Sequence, residues 1–165
     1  MKSTESKEND CPVRFVWGTF CKNVLEDGGL KTLYSVLPGL NFHVSPQRTK
    51  TRNAMPTALL LPIGELAVYA LIGRREASAE PLSVNLSVEW NLPTAENMEV
   101  PFVIDATQDS FQLVLKMNHA RIPVNLTTPE TSLQLTCRLL FSGTIIGEVG
   151  LPIKVFVHEE GVKVE

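Results

Sequence analysis

Three cysteines, Cys11, Cys21 and Cys137, and three histidines, His43, His119 and His158, are the side chains best suited to nucleophilic or metal chemistry. A thiol beside an imidazole makes a nucleophile and its base, so a Cys-His hydrolase is the first chemistry to weigh. Cys137 stands among alternating leucines, where a thiol packs as a small apolar group and stays protonated. Cys21 lies nearer a strand end and is the better placed of the two, although packing is its expected role as well. Metal binding needs several ligands at set spacings, and the sequence holds no Cys-x-x-Cys or His-x-x-x-His. Asp105 and Asp109 flank a segment with too few oxygens for calcium, which reads as a turn. A glycine-rich phosphate loop and a Gly-x-Ser-x-Gly elbow are both absent from the sequence. The expectation is a chain that is not an enzyme, with no catalytic residue, metal ligand or cofactor assigned.

Arg48, Lys50 and Arg52 alternate, so an extended backbone would present all three cations to one side. They are the candidate contacts to an acidic partner or a phosphate backbone, against the simpler reading of a solvated loop. Phe42 is the aromatic at hand to stack on a base, which makes nucleic acid the weaker of those partners. Trp17 and Trp90 fall on the apolar phase of their segments and are expected in the core.

Positioning these groups takes a folded domain, and 165 residues suffice for one with a full core. The apolar fraction is 44% and the charged fraction 20%, as in ordinary globular domains. A net charge of -3 argues against a general polyanion-binding surface. No run of apolar residues reaches membrane-span length, and the polar start resembles no signal peptide. With an odd number of cysteines at unpaired spacings, reduced thiols and a cytoplasmic setting are expected. The two Asn-x-Ser/Thr matches, at Asn85 and Asn125, then count as chance.

The most regular pattern runs from Phe111 to Val157. Leu133, Leu135, Cys137, Leu139 and Phe141 alternate, Ser142-Gly143 interrupts, and Ile145, Val149, Leu151, Ile153, Val155 and Val157 resume the beat. Two antiparallel strands joined by a tight turn are predicted. Upstream, Val13 to about Val24 and Leu30 to Leu37 form another hairpin around Glu26-Asp27-Gly28-Gly29. Asn41 to Val44 is a short extended piece, and Ser45 to Pro56 a long surface loop. Pro62 and Gly64 divide Thr57 to Arg74 into two extended segments, the second from about Glu65. Further strands are expected at Val84–Trp90, Val100–Ile104 and Phe111–Met117, with Ala120–Leu126 at a sheet edge because of Pro123. The whole reads as an all-β, single immunoglobulin-like antiparallel β-sandwich of about 8–10 strands spanning residues 11–158. A disordered tail at 1–10 and a flexible one at 159–165 are expected to flank it.

Thr19-Phe20-Cys21-Lys22-Asn23-Val24, followed by Gly28-Gly29-Leu30-Lys31-Thr32-Leu33-Tyr34-Ser35-Val36, resembles the opening of a bacterial family of small uncharacterised proteins. Leu61-Pro62 before an apolar strand, Pro81 before an alternating one, and the closing Gly150-Leu151-Pro152-Ile153-Lys154-Val155 are similar to the rest of its pattern. Lys22 departs from it, standing where the family has an acidic residue after the cysteine. The resemblance implies an immunoglobulin-like sandwich and carries no activity and no site residues.

Open sandwiches have free strand edges, and strand addition there uses main-chain hydrogen bonds alone. The expected function is therefore a protein-interaction or assembly module, binding another protein or a second copy through its loops or an exposed edge. Candidate edges are the Pro-containing segments near Leu61 and Ile122. A small-ligand or carbohydrate pocket between loops is the alternative.

Overall fold

The computed structural model describes residues 11–27, 30–45, 58–92 and 95–158. The expected tails, the Gly28-Gly29 turn and the loop carrying Arg48, Lys50 and Arg52 lie outside the described residues.

Nine strands follow in order: β1 (Val13–Asp27), β2 (Leu30–Val36), β3 (Leu40–Val44), β4 (Ala58–Arg74), β5 (Leu82–Trp90), β6 (Met98–Ile104), β7 (Ser110–Asn125), β8 (Glu130–Phe141) and β9 (Thr144–Val157). They form two sheets, one ordered β2-β1-β4-β7 and the other β3-β9-β8-β5-β6. The inward faces share one core, in which Phe20, Val68, Ile72, Leu115 and Ile122 of the first sheet meet Leu86, Ile104, Leu139, Leu151 and Ile153 of the second. The protein is thus an all-β sandwich. Burying that contiguous apolar layer is the main term favouring the fold, at roughly 25 cal/mol per Å² removed from water.

The β8–β9 hairpin forms as its alternation requires. Ser142 and Gly143 both take positive φ, 49° and 78°, the backbone of a two-residue turn whose twist matches the strands it joins. The shared beat fails at one place. The ladder shifts register between Leu139 and Leu140, so Ile146 packs on the core and Ile145 is 50% exposed.

Four other expectations change. Residues 58–74 are one strand rather than two, because Gly64 at φ 77° absorbs a bulge in the ladder with β7 instead of ending it. The Ala120–Leu126 segment is continuous with the strand before it, and His119 at φ 59° marks the bulge on that side. The β3–β9 pair is parallel, so the second sheet is mixed rather than wholly antiparallel. Trp17 is 43% exposed and rests against Tyr69 with ring centroids 5.2 Å apart, because a register shift between Phe15 and Trp17 inverts the phase of β1. Trp90 packs against the core as expected.

The sheets approach most closely where β1 passes β9. A Cβ on Gly18 would lie 2.8 Å from Val149 Cγ2, and one on Gly147 would overlap the Phe15 ring. The missing side chains make room for this crossing. Gly147→Ala is expected to lower stability by about 1–3 kcal/mol through overpacking. Gly143→Ala, in open space but at positive φ, should cost about 1–2 kcal/mol through backbone strain alone. Urea unfolding midpoints at unchanged slope would measure both. Equal stability of Gly147→Ala and the parent chain would contradict the packing account.

Candidate functional site

Hydrogen-bonding groups alternate from side to side along a strand, so an interior strand needs a neighbour on each flank. β4 has both neighbours over only part of its length. On one flank it pairs with β7 from Ala58 opposite Asn125 to Gly73 opposite Ser110. On the other it pairs with β1 from Arg74 opposite Val13 to Ala67 opposite Cys21, and there the pairing ends.

The reason lies in β1. Beyond Cys21 it pairs with β2 on its other side, to Asp27 opposite Leu30. This end of the hairpin packs on the outer face of the sheet. Cys21, Val24 and Leu33 cluster there with Ala67 and Val114, and Lys31 Nζ donates to the Gln112 carbonyl at 3.1 Å. β1 is drawn off β4 by that apolar contact. Residues 58–66 are left with β7 on one flank and no strand on the other among the described residues.

Most of the open flank is apolar, Glu65 being its one charged residue. Ala58-Leu59-Leu60-Leu61-Pro62-Ile63-Gly64 contains no charge, and Leu59 and Leu60 are 39% and 50% exposed. Other edges carry devices that discourage pairing. β7 has Lys116, Arg121, Pro123 and the bulge at His119, while β6 is interrupted by Pro101 and β3 is five residues long. Of the edges expected from sequence, Ile122 lies on the guarded β7, with its side chain in the core. Leu61 lies on the open half of β4, one of its partly buried positions.

The chemical candidates sit elsewhere. All three thiols are buried. Cys21 Sγ donates to the Ala67 carbonyl at 3.6 Å, and burial raises its pKa. Burial pushes the Cys137 thiol from its ordinary 9.0 up to about 12. His43 is engaged with His158, Nδ1 to Nε2 at 2.8 Å. Their ring centroids are 5.1 Å apart and their planes within 13°, so the nitrogens face each other in a shared plane, as in an imidazole–imidazole hydrogen bond. The pair fastens the end of β9 to β3, and the His158 amide adds a bond to the Val44 carbonyl at 2.9 Å. No cysteine is hydrogen-bonded to an imidazole among the described residues, and no group of three metal-ligating side chains occurs among them. Asp105 closes a turn by accepting from the Gln108 amide, and Asp109 accepts from the amide of Arg74. Arg48, Lys50 and Arg52 lie outside the described residues, so the structure joins them to no site.

No family model matches the chain, and no curated protein matches it. Among solved structures, the N-terminal domain of PorA is similar at 11% identity, over 84% of this chain and 97% of that one, with a TM-score of 0.26. A superposition that loose says nothing of what this chain binds. No helix among the described residues is long and apolar enough to cross a membrane.

The thiol environment makes a pH prediction. Cys137 holds its proton more tightly folded than unfolded, so its contribution to stability is complete below about 9 and is lost as pH rises toward about 12. Unfolding midpoints across that window should fall less steeply for Cys137→Ala than for the parent chain. Parallel declines would show that the thiolate is accommodated in the core.

Proposed function

We propose that the protein is a non-enzymatic interaction module that docks an extended segment of a partner protein along the open flank of β4. The observation that carries this reading is the end of the β1–β4 ladder at Cys21 and Ala67, which leaves the amides and carbonyls of residues 58–66 on that flank without a strand partner among the described residues. A partner strand would bond to these groups and cover Leu59 and Leu60. Its complementary character is alternating and apolar, since the flank from Ala58 to Gly64 carries no charge to select one. Pro62 withholds one amide and thereby limits the register in which a strand can add.

A cytoplasmic setting accords with three buried free thiols. An immunoglobulin-like sandwich of the small bacterial kind is the finer class we propose, and the count of nine strands among the described residues supports it. Nucleic acid and anionic membrane surfaces are poor partners for a chain of net charge -3.

A fluorescent alternating Thr-Val peptide, offered to the full chain, tests the docking mode. Binding should weaken at least about tenfold when alternate peptide nitrogens are methylated, because the bonds to main chain are then lost. Leu60→Lys should weaken it comparably by placing a charge beside the edge. Equal binding of methylated and unmethylated peptides, or no binding of either, would refute strand addition. Native mass measurement distinguishes the self-associating case: a two-copy species abolished by Leu60→Lys would make a second copy of the chain the occupant.

A further inference from the structure

The other end of β4 carries a buried charge that the docking edge does not use. Arg74 is only 8% exposed. A guanidinium has five N–H donors, and withdrawing its charge from water is costly unless an anion accompanies it. Here Nη1 donates to the Ser78 carbonyl at 3.0 Å and Nη2 to the Glu80 carbonyl, while Nε has no partner. Both acceptors are neutral. Among the described residues no carboxylate lies within ion-pair distance of Arg74, the ion pairs present being Arg138–Glu148 and Lys154–Glu130.

Beside this group opens a crevice of about 440 Å³, whose wall includes Cys11, Arg74, Arg75 and Ser78. Arg75 adds a second cation and is anchored there, its Nε donating to the Val13 carbonyl at 3.3 Å and its amide to the Pro12 carbonyl at 3.0 Å. Glu76 and Glu80, both exposed, also border the crevice. Their charges oppose a multiply charged guest such as a phosphate dianion and leave room for a single negative charge.

We infer that this crevice binds a carboxylate monoanion, held by the guanidinium groups of Arg74 and Arg75 in its wall. A carboxylate matches the planar fork of a guanidinium, and its charge is the one the buried side chain lacks. Its source is a free small organic acid, since Glu76 and Glu80 at the rim are exposed and neither is within ion-pair distance of Arg74.

Thermal unfolding of the full chain in sodium acetate, at ionic strength fixed with sodium chloride, tests the assignment. Acetate should raise the melting temperature saturably, by more than inorganic phosphate does, and Arg75→Gln should weaken its apparent affinity at least tenfold. No acetate effect, an equal effect of phosphate, or an undiminished effect in Arg75→Gln would overturn it.

Discussion

The main-chain ladder of β4 changes character at Ala67, and the first sheet takes its form from that change. On the Arg74 side of this point the strand is bonded on both flanks. On the Ala58 side, among the described residues, only β7 is bonded to it. The change follows from a competition that β1 settles. Its far end with β2 buries Val24 and Leu33 against Ala67 and Val114 on the outer face, and it cannot do so while running beside residues 58–66. Apolar burial there wins over continued pairing, because exposed amides and carbonyls can bond to water whereas exposed apolar surface cannot.

The inward faces follow the same physics with fewer concessions. Phe15 lies over Gly147 and Gly18 faces Val149, so the two sheets close on each other where side chains are missing. In this layer a cysteine is worth its volume and little else. Cys137 is fully buried, and that burial raises its pKa. The same burial that holds the sandwich together removes its most reactive atoms from reaction.

Much of the architecture was legible in the period of the apolar residues. Leu135, Cys137, Leu139, Leu151, Ile153 and Val155 all point inward as their spacing requires, and Ser142-Gly143 turns as its composition requires. What escaped were shifts of one residue. The irregularity at Val16 placed Trp17 outside, that near Leu140 placed Ile145 outside, and Gly64 bent a strand that composition alone would have broken. A bulge leaves no mark in the types of its residues and reverses every expectation beyond it. The parallel β3–β9 pair escaped because pairing partners are set by how layers stack. The open half of β4 was glimpsed at Leu61, but its cause, β1 leaving at Cys21, belongs to tertiary packing. Arg74 is not legible at all: a single arginine ending an apolar strand gives no hint in sequence that it will be buried.

The two ends of β4 therefore divide the molecule's opportunities, main-chain bonding near Ala58 and a buried charge at Arg74, with a doubly paired segment between them. The open flank is the central claim, and residue-resolved amide hydrogen exchange of the full chain tests it most directly. Amides of residues 67–73 should exchange slowly throughout, whereas those of 59–65 should alternate between slow and fast, the fast ones pointing away from β7. Uniformly slow exchange across 59–65 in the isolated chain would mean that the flank is already covered, and would contradict the account.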